Sequence, residues 1–344
     1  MKIGLITTTI HVPEFLALFP RSSVGPPYEW SDDYRFFVAG DHKTPPETQS
    51  FCDSLGNCTY LSVEYQKDLN YKSSELIGWF NDSRRNIALL EALRWGAEII
   101  VSCDDDMVFS NPQTFFSGFT LLFSQPFNGL KLGKPGHWLD AGAFTQPPAK
   151  KRGLPVDVAF DATPGFAVNA KIGAAQGIIL GVPDTDACTA ITNTPHVHSA
   201  TDILRNGFVA DLGAHAVFNS QIVAFRRELA PCFAQFYNYQ GRNTDIQASI
   251  LMRRVMRDLE LYTYYGPPMA YHARAKRPLL NDLRAEMHGL ETITEVSRHL
   301  AGMEIIPGTG PVDVCRHFYE LFYNHLEPMR EAGMAWCDDV ESVL

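Results

Sequence analysis

No stretch of this sequence is apolar for long enough to cross a bilayer. No signal peptide is expected either, because Lys2-Ile3-Gly4-Leu5-Ile6 reads directly as a strand. The expectation is a cytoplasmic protein with no membrane partner. Basic charge is scarce: 29 Lys and Arg stand against 39 Asp and Glu, a net charge of -10. That argues against a broad nucleic-acid footprint and leaves only a local basic groove open. Cysteine is sparse and odd in number, seven in all, without metal-type spacing. Scattered thiols in a reducing compartment fit this better than a disulfide framework, although Cys52 and Cys58 lie near enough in sequence to pair. There is no internal repeat and no low-complexity tract.

What is present is ordinary for a folded chain. At 344 residues, with 45% apolar and 20% charged residues, it can bury a substantial core as one large domain or two small ones. Aromatics reach 12%, including 22 Phe and 13 Tyr, which reads as an aromatic core with stacking surfaces as the alternative.

The chain is organised around Asp104-Asp105-Asp106. Before the triplet, Ala97-Glu98-Ile99-Ile100-Val101-Ser102-Cys103 has the pattern of a short strand buried on both faces. Before that, Asn86-Ile87-Ala88-Leu89-Leu90-Glu91-Ala92-Leu93 has helical spacing, and Gly96 stands where a helix would stop. The order is therefore helix, glycine, buried strand, then three acids at the carboxyl end, where open α/β sheets bind ligands. Three adjacent carboxylates repel one another unless solvent or a cation offsets the charge. Oxygen ligands on a turn suit Mn²⁺ or Mg²⁺, and an acidic solvated loop is the plain alternative.

Other residues gather around this reading. The first strand ends in Thr7-Thr8-Thr9, where Thr8 and Thr9 could meet a nucleotide or form a polar turn. The second, Tyr34 to Asp41, ends in Asp41, which suits either a base or ribose contact or a turn. Arg84 and Arg85 follow the Asn81-Asp82-Ser83 cap and are opposed by the helix dipole, which hints that they face phosphates rather than surface acids. An apolar helix is predicted from about Gln113 to Ser124. The Gly133–Trp138 stretch is a candidate lid, and Lys150-Lys151-Arg152 is a basic patch of the kind that is usually solvated. A short strand is expected at 176–182, followed by a Pro183-Asp184 turn. Asp245, near the start of a helix running to about Leu259, is a cap or a group for acceptor hydroxyls. His272 ends a strand-like piece and could complete a metal site, with Arg274 and Lys276 meeting the phosphates. Residues 290–344 look helical and amphipathic.

Taken together, these pieces resemble a GT-A nucleotide-sugar glycosyltransferase, and more closely the reversibly glycosylated polypeptides, the UDP-arabinopyranose mutases. The Asp triplet with Asn111-Pro112 is similar to that family's pattern. So are Gly177 to Ala187, beside its "GLWLNIPDYDA", and Phe218 to Phe225, beside "MNLAF". Arg242-Asn243-Thr244-Asp245 looks like its "RYDDMW", and Tyr271-His272-Ala273-Arg274-Ala275 like "YHSKAS". The order holds from about residue 85 to 285. The resemblance implies an α/β, GT-A-like fold: a Rossmann-like nucleotide-binding mixed sheet flanked by helices (1–288), with a helical C-terminal segment (289–344). It implies Mn²⁺ or Mg²⁺ on Asp104 and Asp106 with His272, and a UDP-sugar donor, a UDP-pentose such as UDP-arabinose being one candidate, with Asp41 and Arg85 near the nucleotide.

On this reading Arg274 and Lys276 clamp the diphosphate, and Asp245 and Asp105 are the catalytic candidates. One departure stands out. The mutases carry a glycosylated arginine where this chain has Ala167-Val168-Asn169-Ala170, and the nearest arginine upstream is Arg152. Sugar transfer to an outside acceptor is therefore expected before ring isomerisation, with a UDP-sugar mutase and a non-catalytic subunit as rivals. The acceptor is open: a small molecule, a saccharide, a protein, or a modified base in DNA met by Lys150, Lys151, Arg152, Arg226, Arg227, Arg253 and Arg254. A homo-oligomer is equally open.

Overall fold

Four short apolar runs of the N-terminal third form parallel strands: β1 (Ile3–Thr8), β2 (Tyr34–Ala39), β3 (Cys58–Leu61) and β4 (Ile99–Cys103). They belong to a computed structural model that describes residues 1–19, 34–193, 195–272, 278–304 and 309–344. Every residue of β4 is buried, as its unbroken apolar pattern predicts for a strand covered on both faces. Arg85–Trp95 is the helix before it, and Gly96 ends that helix at φ 91° with its N–H on Ala92 and Leu93 carbonyls. The helix lies tight on β1, because a Cβ on Gly4 would stand 2.9 Å from the Ala92 Cβ.

The remaining strands are β5 (Met107–Phe109), β6 (Phe127–Leu132), β7 (Thr145–Gln146), β8 (Pro164–Gly181), β9 (Ser199–Ala200), β10 (Phe208–Ala210), β11 (Ile222–Arg226) and β12 (Leu261–His272). The main sheet runs β3-β2-β1-β4-β11-β8-β6-β10-β12-β5, with β8 also paired to β12, and β7 and β9 form a small sheet of their own. β11 is antiparallel to both β4 and β8, while β8 and β12 run parallel. The sheet is thus mixed. The strand expected at 176–182 is the end of the 18-residue β8. The predicted helices at 113–124 and 241–259 are found at Phe115–Ser124 and Thr244–Asp258.

The C-terminal part is helical: Leu279–Gly302, Pro311–Phe322 and Glu327–Val343. The first of these runs across residue 288, so the expected boundary falls inside a helix whose Ile293, Val296 and Leu300 share the main core. Trp336 is fully buried and donates its indole N–H to the Pro231 carbonyl. The α/β class, mixed sheet, flanking helices and helical C-terminal part agree with expectation. The seven cysteines are free thiols, with Cys52 and Cys58 unbonded. Among the described residues no helix is long and apolar enough to cross a membrane.

One feature of the topology sets the site. β1 bonds β2 on one side and β4 on the other, so the chain reverses its direction of winding between them. The carboxyl ends of β1 and β4 flank this switch point, and a crevice opens there.

Candidate active site

The three carboxylates at the end of β4 take three different partners. Asp104 Oδ1 accepts from Arg85 Nη2 at 2.7 Å. Asp105 Oδ2 lies 2.6 Å from the Thr9 hydroxyl. Asp106 Oδ2 lies 2.9 Å from His272 Nε2. The repulsion expected within the triplet is therefore relieved at Asp104 by an arginine and at Asp105 by a hydroxyl, while Asp106 faces an imidazole. Burial, and then the two neighbouring acids, hold the Asp105 carboxyl above its usual range despite the Thr9 hydrogen bond.

His272 is placed by β12, which approaches β8 closely at Gly181. That glycine has φ 81°, and a Cβ there would stand 2.5 Å from the His272 carbonyl oxygen. His272 Nδ1 lies 2.8 Å from the Val182 carbonyl, with the Gln221 amide beside it at 3.1 Å. A carbonyl only accepts, so Nδ1 carries the proton and the lone pair of Nε2 points at Asp106. A lone pair 2.9 Å from a carboxylate oxygen is stable only with a proton or a cation between them.

Asp104, Asp106 and His272 line one pocket of about 260 Å³, together with Asp82, Arg152, Asp184, Ser220, Gln221, Tyr237, Arg242, Asp245 and Asp282. Six carboxylates thus face two lining arginines and the buried Arg85 behind Asp104. That surplus suits a divalent cation, and the donor set of two carboxylates and an imidazole suits Mn²⁺ or Mg²⁺. Among the described residues no three such side chains are gathered closely enough to hold an ion as they stand. Asp106 and His272 are already paired, and Asp104 is turned onto Arg85.

A buried lattice forms one wall of the pocket. Arg152 donates Nε to Asp184 Oδ2 at 2.8 Å and Nη2 to both oxygens of Asp245 at 3.0 and 2.9 Å, and it also bonds the Arg242 carbonyl. Burial alone would lower its pKa, but Asp184 and Asp245 hold it well above the usual value. Arg242 pairs with Asp282 at 2.8 Å, and its Nε is 2.9 Å from Glu286 Oε1. Lys150-Lys151-Arg152 is therefore not a solvated patch, since Arg152 is a buried hub. Asp245 anchors that hub with both oxygens, which suits a positioning role better than proton transfer.

Several expected residues go elsewhere. Arg84 is fully buried and donates to Gln66 Oε1, the Ser74 carbonyl and hydroxyl, and the Gly78 carbonyl, with its guanidinium 3.8 Å from the Trp79 ring. Burial lowers its pKa to about 10. It props a loop and is not among the residues that line the acidic pocket. Arg85 meets Asp104 rather than a phosphate. The Thr8 hydroxyl bonds the Ala39 carbonyl. Asp41 is a turn residue: its Oδ1 accepts the His42 N–H and its Oδ2 the Phe80 N–H, each at 2.6 Å. Phe80, at φ 64° and 62% exposed, stacks on His42 beside it.

The expected lid at 133–138 hydrogen-bonds to Gly213 and His215 and contributes nothing to the acidic pocket. Four arginines of the basic edge expected for DNA turn inward. Arg226, Arg227, Arg253 and Arg254 each bond backbone carbonyls inside the molecule. Arg274 and Lys276 lie outside the described residues.

Asp82, Asp184, Tyr237, Arg242 and Asp282 were not singled out in the sequence as pocket residues. One signal existed. Asp282 and Glu286 are like charges one helical turn apart, unfavourable unless a cation sits between them, and Arg242 is that cation.

No protein-family model matches the sequence, and no curated protein matches it. In structure the chain is similar to glucosyl-3-phosphoglycerate synthase from Mycobacterium tuberculosis in complex with Mn²⁺, UDP-glucose and phosphoglyceric acid. The identity is 16% and the TM-score 0.42, over 88% of this chain and 81% of that one. It is also similar to S. aureus TarS 1–349 in complex with UDP-GlcNAc, at 11% identity and a TM-score of 0.38, over 100% and 90%. Similarity at this level carries no inference about activity. The resemblance to the reversibly glycosylated polypeptides finds no support in these comparisons.

Proposed function

We propose that this protein is a metal-dependent glycosyltransferase that moves a sugar from a UDP-sugar to an acceptor hydroxyl. The observation that carries this reading is the Asp106–His272 pair, with the imidazole proton fixed on Nδ1 by Val182, in one acidic pocket with Asp104 at the sheet's switch point. Asp104, Asp106 and His272 would hold Mn²⁺ or Mg²⁺, which supplies Lewis-acid stabilisation of charge on the departing diphosphate. Asp41 shapes the turn whose neighbours, Phe80 and His42, offer flat faces for a nucleobase.

Asp82 takes the role first given to Asp245. Of the six pocket carboxylates it is the one with no hydrogen bond or ion pair among the described residues. It is open to water within the cleft, yet protein surrounds it on most sides. That burial, then Asp245 and Asp104, push its pKa up to about 6 against the pull of Arg85. A carboxylate with that proton affinity is matched to accept an acceptor hydroxyl's proton near neutral pH.

The mutase reading needs a nucleophilic arginine. Arg152 is in the pocket, but carboxylates on Asp184 and Asp245 hold its guanidinium protonated and in place, which favours transfer to an outside acceptor. A pentose such as arabinose as the donor sugar rests on the motif resemblance alone. A small molecule, saccharide or protein acceptor suits the pocket better than a modified DNA base, because the expected basic edge is turned inward.

The test is a melting-temperature screen of UDP-sugars with Mn²⁺, followed by chromatography of the nucleotide products. A donor that raises the melting temperature only with Mn²⁺, and slowly releases UDP, is the expected result. No shift from any UDP-sugar would sink the reading, and a ring-isomerised UDP-sugar would make the protein a mutase.

A further inference from the structure

A second pocket lies at the far end of the helix Thr244–Asp258. We propose that it binds a small oxyanion of the phosphate class. It is walled by residues 212–216, the last turns of Thr244–Asp258 and the C-terminal turns of Leu279–Gly302, and Trp138 closes one side. Its volume is about 40 Å³. A single water needs roughly 10–15 Å³ on this scale, so the space holds a few waters or one small tetrahedral ion.

The charges are the first observation. Arg253, Arg254 and Arg257 all line the pocket, and among the described residues Asp258 is the carboxylate paired with two of them. It pairs with Arg254 and stands 3.9 Å from Arg257 Nε. Arg253 gives its Nη atoms to the Thr263 hydroxyl and to the Asp211 and Ala214 carbonyls. The Asp211 carboxylate itself is on Lys131 at 2.7 Å. The Leu300, Ala301 and Met303 carbonyls receive further donors from Arg254 and Arg257. Carbonyls satisfy hydrogen bonds but do not cancel the charge.

Burial lowers the pKa of Arg253 and of Arg257, and Arg254 lowers that of Arg257 further. Burial, and then Arg253 and Arg257, also lower that of His215. In a chain of net charge -10, this is a local surplus of positive charge that an anion would offset.

The second observation is independent of charge. Ser297 lines the same pocket, is 4% exposed, and its Oγ has no hydrogen-bond partner. A buried hydroxyl without a partner is destabilising by about 1–3 kcal/mol, and an oxyanion in this pocket would supply one. An oxyanion would accept from Ser297 and from Arg257, whose one hydrogen bond among the described residues is the 3.4 Å contact to the Ala301 carbonyl.

The test uses the full chain in divalent-free buffer. Inorganic phosphate is titrated against chloride at matched ionic strength, with melting temperature as the readout, and glucose 6-phosphate is titrated in parallel. A saturable rise with phosphate and none with chloride is expected. Arg257→Ala should weaken the apparent Kd at least about tenfold, the factor one charge-assisted hydrogen bond carries, with an unchanged anion-free melting temperature. Ser297→Ala should weaken it less and serves as the readout should Arg257→Ala fold poorly. Tighter binding of glucose 6-phosphate than of phosphate would identify a phosphorylated metabolite, and equal binding the free anion. No saturable rise, or an unchanged Kd in both variants, would overturn the proposal.

Discussion

Arg85 donates to Asp104 across 2.7 Å while its own side chain is 3% exposed. The pair joins the start of one helix to the end of β4 and places a fixed cation behind an acidic triplet. Nη1 of the same guanidinium holds the Ser102 hydroxyl and the Ser220 carbonyl, so the arginine cannot swing away to follow a ligand.

Arg85→Ala should therefore destabilise the fold by about 1–3 kcal/mol, the cost of leaving Asp104 and the Ser220 carbonyl without their buried donor. Mn²⁺ should recover part of that loss, because a cation on Asp104 and Asp106 replaces the missing charge. The expected result is a larger Mn²⁺-induced rise in melting temperature for the variant than for the wild type.

Asp106→Asn and His272→Ala should each remove the Mn²⁺-dependent rise produced by a UDP-sugar. Asp106 is exposed, so its substitution should leave the ligand-free melting temperature nearly unchanged. Isothermal titration with Mn²⁺ and UDP checks both variants.

Asp82→Asn separates stability from transfer. The Asp82 carboxyl has a folded pKa of about 6, raised above its ordinary value of 3.8. The folded state thus holds this proton more tightly than the unfolded chain does. Stability from this group is lost as pH climbs from about 4 to 6 and stays lost above that. Asn cannot ionise, so the variant should melt higher than wild type at pH 7.5, and the difference should vanish below about pH 4. Transfer should meanwhile fall by roughly 10²-fold or more, with donor binding retained.

Arg152→Ala should cost about 3–5 kcal/mol by leaving Asp184 and Asp245 buried without their cation. Adding Asp245→Asn to it should be less than additive, since the partner is already lost. Urea denaturation of the two single variants and the double variant measures the coupling.

Trp336→Ala should cost about 3–5 kcal/mol, because the indole is fully buried and its N–H is on the Pro231 carbonyl. Comparable loss in a strand-rich far-UV signal and in near-UV signal would show that the C-terminal helices and the sheet melt as one unit.

What could be read from the sequence was local. The Arg85–Trp95 helix, its Gly96 stop and β4 follow from apolar spacing and one glycine, and those elements alone fix where the Asp triplet emerges. What could not be read was direction in space. Arg84 and Arg85 are adjacent and chemically identical, yet about 100° of helical rotation sends one onto Trp79 and the other onto Asp104. The Arg152 lattice draws on residues from 152 to 286, and no window of sequence contains it. Asp184 looked like a turn residue because the cation that faces it lies 32 positions away.

The acidic pocket takes its walls from Asp82 through Asp282, carried on strand ends of the sheet and on the helices beside them. No short segment could keep the site if the rest of the molecule opened. Occupancy there therefore opposes every large-scale opening and shrinks the unfolded population by the factor 1 + [L]/Kd. Resistance to proteolysis, sampled anywhere along the sheet, becomes a measure of how full a single crevice is.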